Sequence, residues 1–131
     1  MLKRLGMSTV AVVVAFMMAI APQSAFADET RYFYFETEDG KWDGNIRVPN
    51  HGTVGIGFYQ LKPSWIAPSS LKVRLCRYAG GWRCTSYKSP ASGGNYVRFT
   101  NMYGDHYYID VRDSWSGGSV SGMLAVTAWK P

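Results

Sequence analysis

From residue 28 onward the chain alternates apolar and polar residues in short runs, and no segment keeps a helical periodicity. The runs are rich in Tyr, Phe, Val, Ile and Thr, and clusters of Gly, Pro, Ser and Asn separate them at intervals of roughly ten residues. This pattern is typical of half-buried β-strands joined by turns. It predicts eight strands, over residues 31–36, 44–48, 53–60, 71–78, 82–88, 95–101, 105–112 and 119–129.

Eight short strands without helices predict an all-β fold, an antiparallel two-layer β-sandwich of jelly-roll or Ig-like type. Residues 62–70 are expected to form a loop or crossover, because Pro63 and Pro68 exclude a central strand there. The length of this part of the chain, residues 28–131, suits a single domain.

A first hairpin is predicted from residues 71–78 and 82–88, which flank the loop Ala79-Gly80-Gly81. Its register places Cys76 opposite Cys84 and Tyr78 opposite Trp82. It also places Val73 beside Tyr87 on the apolar side. A disulfide between the two cysteines would close a loop of about nine residues and stabilise the fold by roughly 2.5 kcal/mol.

A second hairpin is predicted from residues 95–101 and 105–112, joined by Met102-Tyr103-Gly104. The register pairs Val97 with Ile109 and Phe99 with Tyr107 on an apolar side, as a half-buried sheet requires. The opposite side would then carry the polar and aromatic residues of both strands.

The first 27 residues have the pattern of a secretory signal peptide. Lys3 and Arg4 precede an apolar stretch over residues 10–21, and Ala25-Phe26-Ala27 supplies a small-x-small cleavage pattern. The stretch is shorter than the ~20 residues that a membrane-spanning helix needs. We therefore predict a signal peptide over 1–27 and a secreted, extracellular product without a transmembrane anchor, in a compartment where the two cysteines are oxidised.

Charge is unevenly distributed along the chain. The net charge is +5, yet residues 28–45 carry six acids, while residues 46–104 carry eight Lys or Arg and no acid. This asymmetry indicates a basic surface that faces an anionic partner, such as a cell-wall polymer or a phospholipid surface. The alternative is that the charges are scattered over a solvated surface.

The sequence offers little for catalysis or metal binding. His51 and His106 are the only histidines, and His106 would stand some 13 Å from Asp110 along one strand. Residues 39–46 resemble a calcium loop in part, but Lys41 occupies a ligand position, so a hairpin turn with Gly at positive φ is the preferred interpretation. We expect no enzyme activity, cofactor or metal. An enzymatic reading would require the two histidines to converge in space.

Aromatic residues are more numerous than one core can hold, since 18 of residues 28–131 are Phe, Tyr or Trp. Aromatic planes beside cations suit sugars and anionic surfaces. The predicted ligand-binding residues on the first hairpin are Lys72, Arg74, Tyr78, Trp82 and Lys88. A second candidate face comprises Tyr96, Arg98, His106, Tyr108, Asp110 and Arg112. The alternative for the first set is that Trp82 covers the disulfide and the cations protect a sheet edge.

The segment Gly104-Asp105-His106-Tyr107-Tyr108-Ile109-Asp110-Val111, followed by Ser116-Gly117-Gly118 and Leu124-Ala125-Val126-Thr127, resembles the closing strands of the bacterial pre-peptidase C-terminal domain family. Tyr32-Phe33-Tyr34-Phe35, leading into Asp39-Gly40, and Leu71-Lys72-Val73 lie in the expected order. The resemblance implies a jelly-roll-like sandwich with a non-catalytic role in binding or secretion.

These observations predict a secreted, non-catalytic β-sandwich that binds an extracellular ligand, either a glycan or an anionic cell surface. A secreted antibacterial protein or enzyme inhibitor is the alternative, since size, basic charge and secretion suit it equally. We expect a monomer with a polysaccharide or anionic surface as partner, and no nucleic acid.

Overall fold

The computed structural model describes residues 28–131, so the predicted signal peptide lies outside the described residues. The strands are β1 (Glu29–Glu36), β2 (Gly44–Val48), β3 (Gly52–Lys62), β4 (Leu71–Tyr78), β5 (Trp82–Cys84), β6 (Tyr96–Met102), β7 (Asp105–Asp113) and β8 (Ser121–Trp129). A short 3-10 helix, Pro68–Ser70, lies in the crossover before β4. In the described part of the chain, no helix is long and apolar enough to span a bilayer.

The strands form two antiparallel four-stranded sheets. The first sheet has the order β1-β8-β3-β6 and the second the order β2-β7-β4-β5. The prediction of an all-β, two-layer sandwich of eight strands is confirmed. Every connection except that between β4 and β5 carries the chain from one sheet to the other.

The core lies between the two sheets and is built from alternate residues of both. Strand residues at i and i+2 share a face, so a regular apolar alternation fills one side of each strand. The inner residues include Val54, Ile56 and Phe58 of the first sheet, and Leu75 and Ile109 of the second, all at most 2% exposed. This arrangement leaves two outer faces, one on each sheet, whose side chains are free of core packing.

The second predicted hairpin is wrong. β6 pairs with β3, whereas β7 pairs with β2 and β4, so the two strands lie in different sheets. Their link packs on the link between β2 and β3, where a Cβ on Gly104 would lie 2.8 Å from the backbone N of Asn50. An apolar alternation is compatible with many antiparallel partners, and the local pattern therefore did not identify the right one.

The first hairpin is confirmed at its tip and corrected at its base. Cys76 pairs with Cys84 in a disulfide, and Tyr78 pairs with Trp82. Beyond Cys84 the ladder shifts by one residue, because the N–H of Leu75 donates to Oγ1 of Thr85 at 3.0 Å instead of to a backbone carbonyl. Val73 consequently bridges Lys88 and not Tyr87, and β5 ends at residue 84 rather than 88.

The connection between β1 and β2 also differs from its prediction. Gly40 has the expected positive φ of 71°, and Oδ1 of Asp39 accepts the N–H of Lys41 at 3.0 Å. However, β1 pairs with β8 and β2 with β7, so this is a crossing between the sheets and not a hairpin turn.

Thr37, at the start of that crossing, ties both sheets together. It is 1% exposed, and its N–H donates to the carbonyl of Val120 at 2.8 Å. Its Oγ1 accepts the N–H of Val120 at 2.8 Å and donates to Oδ2 of Asp113 at the end of β7. The buried hydroxyl of Thr37 therefore forms hydrogen bonds both to the residue before β8 and to the last residue of β7.

Replacing Thr37 with Val should lower the free energy of unfolding by about 2 kcal/mol, because the isosteric side chain leaves the buried N–H of Val120 without its acceptor. Thr37→Ser keeps the hydroxyl and loses one methyl group, so it should cost about 1 kcal/mol. Urea unfolding of both variants measures the difference. A Val variant at least as stable as the Ser variant would contradict this role.

Candidate ligand-binding site

Four aromatic side chains cluster on the outer face of the second sheet. We call Trp42, Tyr78, Trp82 and Tyr108 the aromatic ridge. The ring of Trp82 lies 5.0 Å from that of Trp42, 5.5 Å from that of Tyr78 and 5.6 Å from that of Tyr108 between centroids. Trp42, Trp82 and Tyr78 are 43%, 51% and 65% exposed. The ridge thus presents contiguous aromatic surface to solvent.

Backbone pairing and the disulfide position the ridge. Tyr108 of β7 lies opposite Cys76 of β4, and Cys76 lies opposite Cys84 of β5. Trp82 therefore lies two residues from the disulfide that joins β5 to β4, and β4 is the strand that pairs with Tyr108. Cys84 is exposed whereas Cys76 is 0% exposed, and the ring of Trp82 packs against those of Trp42 and Tyr108.

The imidazole of His106 extends the ridge along β7. It stacks on Tyr108 with 5.3 Å between centroids and 19° between planes. Its Nε2 donates to Oδ1 of Asn45 at 3.0 Å, and the same oxygen accepts from Nη1 of Arg31 at 2.7 Å. His51 is bonded instead to Asn101 at 2.8 Å, so the two histidines have separate partners.

Three cations lie beside the ridge and surround one tyrosine ring. Nζ of Lys72 and Cζ of Arg74 each lie 4.8 Å from the centroid of Tyr87, and Cζ of Arg112 lies 5.8 Å from it. We call Lys72, Arg74 and Arg112 the cationic cluster. Its members share the outer face because Lys72 pairs with Arg112 in the ladder between β4 and β7.

Asp110 holds the cationic cluster in place. Its Oδ2 accepts from Nε of Arg74 at 2.9 Å and from the hydroxyl of Tyr87 at 2.8 Å, and it lies 3.5 Å from Nε of Arg112. Burial, followed by the hydrogen bond to Asp110, raises the pKa of the Tyr87 hydroxyl. Both arginines use Nε for Asp110, so their terminal Nη groups can donate to a ligand oxygen.

A groove of about 650 Å³ separates the connection between β1 and β2 from the outer face of β4 and β7. Trp42 forms part of its wall, and Arg74 and Arg112 reach it from the sheet. Its acidic lining residues are Glu36, Glu38, Asp39, Asp110 and Asp113. The groove therefore carries both signs of charge, and it shares Arg74 and Arg112 with the cationic cluster.

The structure distributes the predicted site residues unevenly. Lys72, Arg74, Tyr78 and Trp82 share the outer face of the second sheet. Lys88 leaves this face, since its Nζ donates to the carbonyl of Arg98 at 2.8 Å and lies 5.2 Å from the ring centroid of Phe99.

The second candidate face is divided between the two sheets. Tyr96 and Arg98 belong to β6, where Arg98 lies over Tyr96 and over Trp129. His106, Tyr108, Asp110 and Arg112 belong to β7 in the other sheet. This division follows directly from the incorrect pairing of β6 with β7.

Two contributors to the site were missed by the sequence reasoning. Trp42 joins the ridge because Asp43 and Gly44 pair with Ile109, and no local pattern identifies that partner. Tyr87 reaches the outer face because the shift after Cys84 reverses its side. The one signal of this shift in the sequence was Thr85, because a Thr hydroxyl can take a backbone N–H that would otherwise bond across the ladder.

Comparison with known proteins finds no matching family model, no matching curated protein and no matching solved structure. The resemblance to the pre-peptidase C-terminal domain family stays a prediction. Across residues 28–131, no group of three or more His, Cys, Asp or Glu side chains is arranged to hold a metal ion.

One carboxyl group beside Trp42 is buried. Asp43 is 6% exposed, and its Oδ2 accepts the N–H of Val111 at 2.8 Å. Burial raises the pKa of Asp43 to about 7. The Val111 hydrogen bond opposes this shift, and the charges of Asp39 and Asp110 add to it. The folded protein therefore keeps a proton here that the unfolded chain releases near the ordinary Asp pKa of about 4.

Asp43 should consequently make the protein less stable as the pH rises from about 4 to about 7, by up to about 1.4 kcal/mol per pH unit, because only the folded state binds the proton in that range. Asp43→Asn keeps an acceptor for Val111 and removes the titration. The difference in unfolding free energy between wild type and variant, measured by urea titration at several pH values, should change across this window. Glu38→Gln is the control in the same connection, and parallel wild-type and Asp43→Asn profiles would contradict the assignment.

Proposed function

We propose that this protein is a secreted, non-catalytic binding protein for an anionic polysaccharide, and that it binds through the outer face of the second sheet. The observation that carries the proposal is the contiguity of an exposed aromatic ridge with a cationic cluster on one rigid sheet. Binding then requires no chemical step, only recognition of a repeating polymer.

The aromatic ridge supplies a surface for sugar rings. Aromatic side chains offer large apolar area at low conformational cost, and the C–H faces of a pyranose pack on such planes. The rings of Trp42, Trp82 and Tyr108 restrain one another through their mutual contacts. Little side-chain freedom is therefore lost when a ligand binds.

The cationic cluster supplies the preference for negative charge. Arg74 and Arg112 share the single carboxylate of Asp110 and Lys72 lies over the Tyr87 ring, so the cluster has three cations against one carboxylate. Guanidinium groups bind carboxylate and phosphate oxygens with two parallel hydrogen bonds. The groove beside the cluster, which Arg74 and Arg112 also line, is a less suitable path for a polyanion, because several carboxylates line it as well.

The predicted signal peptide and the Cys76–Cys84 disulfide support an extracellular location for this activity. The disulfide is compatible with an oxidising compartment, and polysaccharides of cell surfaces are encountered there.

Trp82→Ala and Trp42→Ala should each weaken binding to alginate, a carboxylated polysaccharide, by about tenfold, because about 1.4 kcal/mol of contact energy is lost. Affinity electrophoresis in alginate gels measures the change. Trp65→Ala is the matched control, since Trp65 is 68% exposed, lies in the crossover between β3 and β4, and packs edge-on against Trp115. Equal retardation of all three variants and the wild type would overturn the assignment of the ridge.

Arg74→Gln should weaken the same binding and reduce its salt dependence, because exposed charge pairs are screened between about 0.05 M and about 0.5 M salt. Binding to purified bacterial cell walls at rising NaCl provides an independent measurement. Salt-independent binding by the wild type would exclude an anionic ligand for this face.

A further inference from the structure

The outer face of the first sheet carries four exposed tyrosines that play no part in the proposed site. Tyr32 and Tyr34 of β1 are 70% and 64% exposed, Tyr59 of β3 is 49% exposed and Tyr96 of β6 is 45% exposed. We call the surface that they surround the tyrosine face. It lies on the opposite side of the sandwich from the aromatic ridge.

Small residues form the floor between these tyrosines. The register across the sheet runs from Tyr32 through Ala125 and Gly57 to Tyr96. Counting three steps between neighbouring strands, the two tyrosines stand roughly 14 Å apart. The face is therefore long enough to carry a short run of sugar units.

The glycines of β3 allow two tyrosine rings to lie down on the sheet. A Cβ on Gly57 would lie 2.8 Å from Cε2 of Tyr59, and a Cβ on Gly55 would lie 1.9 Å from the hydroxyl oxygen of Tyr96. Any side chain at these positions would displace the tyrosines. The glycines thus keep both rings against the backbone, with aromatic surface directed outward.

Charge distinguishes this face from the other one. Three rows of paired residues cross the centre of the face. One runs through Ala125, and the rows on either side of it pair Tyr34 with Met123 and Thr30 with Thr127. Arg98 is the charged residue at the end of these rows, and it is stacked on Tyr96 and Trp129. Glu36 and Lys62 flank Ser121 in the next row, so the charged residues lie at the margins of the face and not at its centre.

We infer that the tyrosine face is a second binding site, specific for a neutral polysaccharide chain that lies across the strands. Tyrosine rings pack on the apolar faces of sugars, and their hydroxyls donate to and accept from sugar hydroxyls. A neutral ligand fits because the face offers so little charge to a polyanion. A second copy of the chain fits less well, since it would bury the tyrosine hydroxyls of this face, whose hydrogen bonds a sugar can supply with its own hydroxyls.

The test is depletion of the protein from solution by three insoluble neutral polysaccharides, namely cellulose, chitin and starch granules. Wild type should bind at least one of them, and about 0.5 M NaCl should not weaken that binding. The double variant Tyr32→Ser/Tyr34→Ser should bind at least tenfold more weakly. Trp65→Ala, a variant outside both sites, should bind as the wild type does. Weakened binding by Trp82→Ala would overturn the inference, because the aromatic ridge would then hold the neutral polymer.

Tyr103→Ser is the matched control, because Tyr103 is also 70% exposed but lies in the link between β6 and β7. Circular dichroism melting confirms that each variant is folded, and Tyr32→Phe/Tyr34→Phe provides a milder pair that removes only the hydroxyls. The inference would be overturned if the wild type bound none of the three polymers. It would also be overturned if the double serine variant bound as strongly as the wild type. Self-association of the wild type that the double variant abolishes would also overturn it, because a second copy would then cover the face.

Discussion

The Cys76–Cys84 disulfide fixes the strand on which the aromatic ridge depends. β5 has three residues, all of them exposed, and it pairs with β4 at the edge of the second sheet. So short an edge strand buries little apolar surface, and its ladder ends where Thr85 takes the N–H of Leu75. The covalent link keeps the ring of Trp82 beside that of Tyr108, to which it packs edge-on.

The crossing of the chain between the sheets gives the sandwich its two independent outer faces. Consecutive strands mostly belong to different sheets, and the inner residues of both sheets meet in one core. The outward residues are not part of that core. Thr37 links the two sheets, because its hydroxyl bonds to Asp113 at the end of β7 and to Val120 just before β8. The outer residues are consequently free to differ in chemistry from one sheet to the other.

Strand positions and the disulfide could be predicted from sequence because both depend on local information. Period-two alternation identifies a strand, and a three-residue Gly loop sets the register that brings Cys76 opposite Cys84. The partner of β7 could not be predicted in this way, since Val97 and Ile109 satisfy the apolar side of any antiparallel pair. Trp42 was missed for the same reason, as its place depends on the pairing of Gly44 with Ile109.

The contrast between the two outer faces is a consequence of which residues stand between the aromatics. On the second sheet, Arg74 and Arg112 flank a carboxylate that orients them, so the aromatic surface adjoins directed positive charge. On the first sheet, Gly55 and Gly57 occupy the corresponding central positions and leave only rings and hydroxyls. Since the faces point in opposite directions, a ligand on one does not obstruct the other, and a single chain with both sites occupied would join two different polymers.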